Sequence, residues 1–517
     1  MTTKNYRNPI IPGFYPDPSV CRVGEDFYLV NSSFEYFPGV PIWHSRDLLN
    51  WRQLGHVLDR VEQLDLEDCA CSDGIYAPTI RFHNGLFYMV TTLVKGGEFR
   101  NFFVTAEDPA GPWSNPVRLD QSGIDPSLFF HDDSRVFLQT NRPLRFDAPR
   151  AIYQSEIDLA TGERLSGPTV IWTGTGGSYV EGPHIYQRGD WFYLLVAEGG
   201  TAYGHMVTIA RSRGIWGPYE SCPHNPILSN RHAYEEIHGT GHGDLIEAAD
   251  GSWWMVHLGF RQTAGTIHTL GRETCLAPVE WADDWPVVNR TGTIGACVEA
   301  SLPGEQVGWE IGGRDDFDAT APALEWIRLR RPVDSNYSLA ERPGFLRLYP
   351  ATTTLDDLGS PTLLARRQQH LYVRMATRLE YDPTQDSERA GMTLLMTNRH
   401  HYDFCIMRKG SSRVAVVAVR LHRIRTHAAE WPLPDSGPVD LVIVSDRDTY
   451  FFECRVNDDP VAAPLALDSR YLGTEVTDGF NGVVVGLFAE APDGAGAAAD
   501  FDWFEYLPET SRENPKT

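Results

Sequence analysis

Five residues capable of chemistry recur at one position relative to a repeated strand pattern. The pattern is a Gly, Asp or Asn turn followed by aromatic and β-branched residues, as in "GEDFYLVNSS", "NGLFYMVTTL", "DDSRVFLQTN", "RGDWFYLLVAEGG" and "DGSWWMVHLGF". Ten or eleven residues before the central residue of each run stand, in order, Asp17, Tyr76, Asp125, Glu181 and His242. Independent surface residues have no reason to share an offset in a repeat, and buried like charges are costly unless used or paired. We therefore predict that these five side chains meet at one site.

Three converging carboxylates suit the cleavage of a glycosidic bond. One carboxylic acid protonates the leaving oxygen, and one carboxylate acts on the anomeric carbon or its water. The third raises the pKa of the acid by repulsion. Simpler interpretations exist for single residues: Asp17 before proline is typical of a turn, Glu181 of a surface loop, and His242 of a hydrogen-bonded core residue.

The repeat also predicts the elements that position these residues. Its spacings of 60, 49, 56 and 61 residues fit four-stranded propeller blades with insertions. A second recurring pattern, "HSRDLLNW", "TAEDPAGPW" and "ARSRGIWGPY", marks the outer part of several blades. Five units predict a five-bladed β-propeller in which the five residues begin the innermost strands and open onto the central channel.

From about residue 313 the pattern changes to short β-type runs without a catalytic cluster, which favours a sandwich. "RDDFDA" near the start and "ADFDWFEYL" near the end are candidates for pairing as neighbouring edge strands. The predicted fold class is therefore all-β, with a propeller over residues 1–305 and a β-sandwich over 313–517.

Composition limits the partners. The chain has 517 residues and a net charge of -24, which disfavours nucleic acid and anionic membranes, because phosphate binding requires a basic face. A neutral small oligosaccharide remains compatible. The N-terminus lacks an apolar signal-peptide core, and no run of about 18 apolar residues follows, so a cytoplasmic protein is expected. The oligomeric state is left open, with a homo-oligomer among the alternatives.

Several motifs resemble glycoside hydrolase family 43, and most of all its β-xylosidase and α-L-arabinofuranosidase branch with a C-terminal concanavalin-like sandwich. They are "NPIIPGFYPDPSVCRVGEDFYLVNSSFEYFPGVPIWHSRDLLNW", "GIDPSLFF", "EGPHIY", "GTGHGDL" and "LGRETCLAPVEWADDWPVVN". The resemblance implies a five-bladed propeller and an inverting mechanism. By the same resemblance Asp17 would be the general base, Glu181 the general acid and Asp125 the carboxylate that tunes that acid.

The resemblance also implies a substrate pocket. Arg272 in "LGRET" would reach the sugar hydroxyls, with a ring-closing salt bridge as its alternative, and Phe34 would form the floor of the subsite. Phe480, in the sandwich loop "DGFNGVVVG", would close the pocket, although this loop departs from the usual "FFTG" form. His242 resembles a channel histidine that helps to hold a central Ca²⁺, largely through water. Tyr76 replaces the tryptophan common in relatives and offers a smaller face.

The expected function is thus that of an inverting exo-hydrolase releasing a terminal pentose from xylo-oligosaccharides or arabinoxylan fragments. β-D-xylosidase activity is favoured and dual activity is compatible, with α-L-arabinofuranosidase as the alternative. Two rivals are a non-catalytic carbohydrate-binding protein and a retaining fructan-type hydrolase. The fructan-type hydrolases begin with a "WMNDPNG"-like motif that is absent from this chain.

Overall fold

The computed structural model describes residues 4–143, 150–263, 265–304, 311–494 and 496–509. Across these ranges the protein is almost entirely β. Its only helical segments there are the four-residue α-helix Thr474–Thr477 and the 3₁₀ turns Asp334–Asn336 and Ser469–Leu472. None of the helices in the described part is long and apolar enough to cross a membrane.

The first half of the chain forms five antiparallel sheets that follow one another in sequence. Their strands, sheet by sheet, are Ser19–Val23, Asp26–Val30, Gly39–Ser45 and Arg52–Leu58; Gly74–Ile75, Thr79–His83, Leu86–Lys95, Glu98–Ala106 and Val117–Arg118; Ile124–Phe130, Val136–Pro143, Arg150–Ile157 and Arg164–Trp172; Glu181–Arg188, Trp191–Glu198, Met206–Ser212 and Glu220–Ser221; Ile237–Glu247, Trp253–Arg261, Glu273–Ala282 and Trp285–Val288. The five aromatic runs of the sequence repeat form the second strand of each sheet, except that in the second sheet the run is the third strand, Leu86–Lys95.

Local sequence explains the hairpins. In the second sheet, strand Thr79–His83 returns as Leu86–Lys95 through the two-residue turn Asn84-Gly85. Both turn residues have positive φ, 49° and 83°, which is the backbone of the type I′ turn that matches strand twist. Strand Leu86–Lys95 is buried along most of its length. Its continuous apolar composition therefore reflects a strand that is covered on both faces.

Apolar clusters between neighbouring sheets form the propeller core. One cluster joins the first and second sheets, another the second and third, a third the third and fourth, and the largest the fourth, fifth and first. The innermost strands of successive sheets contact one another around a ring. N-terminal strand Lys4–Arg7 pairs with Cys297–Ala300 and so ties the two ends of the propeller together.

A buried ion pair joins the inner strands across the channel. The Arg81 guanidinium contacts the Asp244 carboxylate at 2.8 Å and donates a 2.9 Å hydrogen bond to Nδ1 of His184. Ser19 and Tyr186 also donate to Asp244, at 2.7 and 2.5 Å. Burial alone would raise the pKa of Asp244, but Arg81, His184 and the hydrogen bond from Ser19 together outweigh it, and the pKa is lowered. Four of the five sheets contribute to this network, which therefore fixes how their strands converge.

The second half of the chain is a sandwich of a nine-stranded and a six-stranded sheet around a separate apolar core. Its strands are Gly313–Asp315, Arg328–Leu329, Tyr337–Ser338, Leu346–Leu348, Thr362–Arg367, Tyr372–Glu380, Arg389–Thr397, His400–Lys409, Ser412–Leu421, Ile424–Pro432, Val439–Asp446, Thr449–Val456, Asp459–Pro460, Leu465–Asp468, Val484–Glu490 and Ala499–Pro508. Arg328–Leu329 lies outside the two sheets, because it pairs with propeller strand Tyr36–Phe37.

The structure confirms the all-β fold class, with a propeller followed by a sandwich. The predicted pairing of the two ends of the sandwich is also confirmed, since Gly313–Asp315 runs antiparallel to residues 504–506. The prediction that both are edge strands is wrong for Ala499–Pro508, which lies between Leu346–Leu348 and Tyr372–Glu380 in its sheet. The domain limits at residues 305 and 313 stay predictions. Residue 305 and the predicted end at 517 lie outside the described residues.

A further apolar cluster joins the two halves. Phe14, Phe34 and Tyr36 of the propeller pack with sandwich side chains that include Val416 and Phe488. The sandwich therefore covers the propeller surface around Phe34, a residue of the pocket described next.

Candidate active site

The five residues predicted to converge do line one pocket. They are Asp17, Tyr76, Asp125, Glu181 and His242. The pocket lies where the innermost strands begin, as the repeat register predicts. Arg272, Phe34 and Phe480 line it too, so every residue singled out from the sequence is present in its wall.

A repeated backbone irregularity turns these side chains into the pocket. Asp17, Asp125 and His242 have left-handed φ values of 53°, 53° and 46°. In the third, fourth and fifth sheets the pairing of the inner strand with its neighbour skips at this point. Left-handed φ is uncommon for residues with a side chain, and such strain clusters at functional sites. The shared offset in sequence thus corresponds to a shared bulge in structure.

Asp17 is held as a carboxylate. It is 5% exposed, and its Oδ1 accepts a 2.7 Å hydrogen bond from Nη1 of Arg272 while its Oδ2 accepts one of 2.6 Å from the Ser32 hydroxyl. Burial alone would raise its pKa, but Arg272, His242 and Ser32 together lower the pKa below its ordinary value. Asp17 is therefore available as a base across the neutral range.

Glu181 has the opposite character. Burial, reinforced by repulsion from Asp125, raises the pKa of Glu181 to about 8. Asp125 is itself buried and accepts a 3.0 Å hydrogen bond from the backbone N–H of Gly182. The pKa of Asp125 is also raised, first by burial and further by the charge of Asp17. One pocket thus holds an ionised carboxylate and a carboxylic acid that keeps its proton near neutral pH.

Aromatic rings from both domains form the apolar wall. Phe34 and Phe480 stack with ring centres 5.7 Å apart, and Tyr76 contacts both rings at 5.3 and 5.8 Å. The Phe480 loop is anchored to the propeller, since its backbone N–H donates to the Ser72 hydroxyl at 2.9 Å. Residue 480 of the sandwich therefore completes a pocket whose other residues come from the propeller.

Arg272 links the polar and apolar walls. Besides Asp17 it contacts the Thr201 hydroxyl at 3.1 Å, and its guanidinium carbon lies 5.7 and 5.3 Å from the ring centres of Phe34 and Phe480. Its buried Nε has no partner among the described residues. The salt bridge and the pocket position occur together, so the two interpretations of Arg272 do not exclude each other.

His242 lies beside the carboxylates, with Nδ1 4.0 Å from Oδ1 of Asp17. The described ranges contain no group of three or more His, Cys, Asp or Glu side chains suited to hold a metal ion. The channel network also already carries the positive charge of Arg81. These side chains therefore do not fit a calcium ion bound directly by the protein, and a water-mediated role for His242 stays a prediction.

The sequence reasoning missed four residues of the pocket wall. Ala77 and Ile124 adjoin predicted residues and follow from the register, whereas Thr201 and His205 come from a loop that carries no repeat signal. His205 is 1% exposed, and its Nδ1 lies 3.2 Å from the Gly239 carbonyl. Burial lowers the pKa of His205 to about 3, so the ring is neutral and donates to that carbonyl. Its Nε2 has no partner in the described part of the chain and can accept a hydrogen bond from a ligand hydroxyl.

Comparison with known proteins agrees with this geometry. Residues 6–286 match the model of glycosyl hydrolases family 43, and residues 314–507 match that of the β-xylosidase C-terminal concanavalin A-like domain. A non-reducing end α-L-arabinofuranosidase, BoGH43B, from Bacteroides ovatus is 41% identical over 98% of this chain and 95% of its own length. A xylosidase/arabinosidase from Butyrivibrio fibrisolvens is 39% identical over 94% of this chain and 95% of its own.

Solved structures agree as well. The structure described as Bacteroides ovatus xyloglucan PUL GH43B superposes with a TM-score of 0.93 at 39% identity, covering 98% of this chain and all of that one. The similarity to these proteins therefore extends over nearly the whole length of the chain, including both domains. The chain belongs to glycosyl hydrolases family 43 and is a glycoside hydrolase.

Proposed function

We propose that this protein is an inverting exo-glycosidase that releases a terminal pentose from xylo-oligosaccharides or arabinoxylan fragments. The observation that supports it most is the pairing of opposite proton states in one pocket. The pKa of Asp17 is lowered and the pKa of Glu181 is raised. The pKa of the third carboxyl group, that of Asp125, is also raised. Two groups whose environments separate their pKa values in this way are suited to act as base and acid.

The chemistry follows from these proton states. Glu181, protonated near neutral pH, donates its proton to the glycosidic oxygen as the bond to the anomeric carbon breaks. Asp17, ionised, accepts a proton from the water that attacks the opposite face of the sugar. Asp125 keeps the proton on Glu181 by repulsion, while Arg272 and the neutral His205 offer a donor and an acceptor to the sugar hydroxyls.

Exo-action is supported by the closed rear of the pocket. Phe34 and Phe480 stack across it, and the Phe480 loop is tied to Ser72 and Glu35 of the propeller. A sugar that enters such a pocket can extend only outward, so the terminal residue of a chain fits and an internal residue does not. We therefore assign the pocket to the non-reducing terminal unit.

The nature of the pentose is the finer part of the proposal. β-D-xylosidase activity is favoured, with α-L-arabinofuranosidase as the second activity, because relatives bear both names and the two sugars present similar hydroxyl geometry. The test is hydrolysis of nitrophenyl β-D-xylopyranoside and nitrophenyl α-L-arabinofuranoside. Proton NMR should show the α-anomer of xylose as the first product from the β-xyloside.

Three results would contradict parts of this proposal. If the β-anomer of xylose formed first, the mechanism would be retaining rather than inverting. Activity on the arabinofuranoside alone would make the protein an α-L-arabinofuranosidase rather than a β-D-xylosidase. Binding of xylo-oligosaccharides without hydrolysis of either substrate would instead indicate a carbohydrate-binding protein. The cytoplasmic location and the oligomeric state stay predictions.

The pH dependence offers a further prediction. Activity should fall as pH rises through about 8, because Glu181 then loses the proton that it must donate. In Asp125→Asn the repulsion that raises the pKa of Glu181 is removed, so this alkaline limit should move to lower pH by about one unit. Burial, the larger cause, remains, so the limit should stay above the ordinary range of a glutamate.

The measurement is kcat/KM between pH 5 and 10 for the wild type and Asp125→Asn. Asp132→Asn is a suitable control, since Asp132 is exposed in the turn that follows the same strand. An alkaline limit that stays in place or moves upward in Asp125→Asn would show that Asp125 does not tune the acid.

A further inference from the structure

Tyr179 is an exposed aromatic residue beside the proposed general acid. Its side chain is 55% exposed, and its backbone has a left-handed φ of 55°. A tyrosine in this conformation is strained, and a large exposed ring has no packing role that would offset the strain. None of the apolar clusters formed by the described residues includes Tyr179, although the adjacent Val180 is 2% exposed and belongs to one of them.

Tyr179 lies beside two chain segments that form the wall of the pocket. It precedes Glu181 by two residues, and the buried Val180 between them points into the core. The ring of Tyr179 also lies against Gly200, where an added Cβ would be 3.2 Å from Cδ2 of the ring. Gly200 directly precedes Thr201, a residue of the pocket wall. The ring therefore lies between the two chain segments that bring Glu181 and Thr201 to the site.

Arg150 also contacts the ring of Tyr179. Its guanidinium carbon lies 5.6 Å from the ring centre of Tyr179, and its Nη1 donates a 2.8 Å hydrogen bond to Oδ1 of Asn141. Arg150 is close enough to Asp125 and Glu181 that its charge partly offsets the rise in the pKa of both.

We infer that Arg150 and Tyr179 form the binding platform for the first sugar ring of the leaving group, a neutral pyranose unit. The inference rests on the proposed function, because the leaving oxygen must lie at Glu181 and the ring that carries it must lie just outside the pocket. An exposed tyrosine face suits the C–H face of a pyranose, and a fixed guanidinium suits its hydroxyl groups. Such remote contacts let binding energy of the leaving group support catalysis.

The experiment compares two substrates that share the preferred pentose. In one the pentosyl group is linked to xylobiose, and in the other it is a pentosyl fluoride, which has no leaving-group ring. The ratio of their kcat/KM values is measured for the wild type and Tyr179→Ala. A partly misfolded preparation lowers both values equally, so the ratio reports only the leaving-group contacts.

We expect the ratio to fall roughly tenfold in Tyr179→Ala and to be largely retained in Tyr179→Phe. Arg150→Met should lower it as well and, because the charge of Arg150 lowers the pKa of Glu181, should move the alkaline limit upward. Tyr471→Ala, which removes a similarly exposed tyrosine from the sandwich, should leave the ratio unchanged.

One outcome overturns the inference alone while the wild type is active. It is an unchanged ratio in Tyr179→Ala, whether both values are retained or both fall equally, the latter indicating a structural role. If the wild type hydrolyses neither kind of pentoside, the proposed function fails and the inference fails with it.

Discussion

Replacing Glu181 by glutamine should lower kcat on pentosides with a sugar leaving group by about 10³-fold, because the proton donor is removed while the shape is kept. Glu181 is suited to this role because burial and Asp125 raise its pKa to about 8. A leaving group that departs without protonation, such as 2,4-dinitrophenolate, should lose far less, about tenfold. The dependence of the loss on the leaving group is the signature of a missing acid.

The measurement is kcat for a series of aryl pentosides of falling leaving-group pKa, compared with xylobiose. Glu163→Gln, an exposed glutamate of the third propeller sheet, is the matched control and should behave as the wild type. If Glu181→Gln lost the same factor on every leaving group, Glu181 would not be the acid. Full activity on all of them would exclude it from the mechanism.

Asp17→Asn should be the more damaging change, with a loss of about 10⁴-fold in kcat. The amide cannot accept the proton of the attacking water. It also cannot neutralise Arg272, whose Nη1 lies 2.7 Å from Oδ1 of the native carboxylate. Water activation is needed whatever group departs, so this loss should be nearly the same for dinitrophenyl and sugar leaving groups.

The same aryl series distinguishes the two variants. A flat loss in Asp17→Asn beside a graded loss in Glu181→Gln would assign base and acid separately. The reverse pattern would exchange their roles. Asp132→Asn again controls for a carboxylate replaced elsewhere in the propeller. In a separate experiment, azide is added to Asp17→Asn. If the vacant base position admits an external nucleophile, a pentosyl azide of inverted configuration should form.

Much of the site could be predicted because the candidate catalytic side chains are part of a repeat. Asp17, Asp125, Glu181 and His242 precede their hairpins by nearly equal distances. Asp125, Glu181 and His242 stand at or beside a skip in the pairing of the inner strand, and Asp17 shares the left-handed φ just before its strand. Such a bulge uses a fixed number of residues, so it leaves a fixed offset in the sequence. The pairing of the two ends of the sandwich was also predicted, from the runs "RDDFDA" and "ADFDWFEYL".

Other residues of the site carry no comparable signal. His205 and Thr201 follow the second strand of the fourth sheet in a loop, and Arg150 begins the third strand of its sheet. Their contribution depends on how loops fold over the mouth and on charges that are distant in sequence. The identity of a histidine or an arginine does not reveal this, because the same residues serve equally well on a solvated surface.

The sequence by itself determined the strand pattern, the repeat and the register of the acids, since turn residues and apolar runs act over short distances. Only the tertiary structure decided their proton states. Asp17 and Glu181 are both carboxylates beside a turn, yet one is paired with Arg272 and the other is buried beside Asp125. Burial and long-range charge set a pKa, and both arise only when the sheets close into a ring and Phe480 of the sandwich covers the pocket.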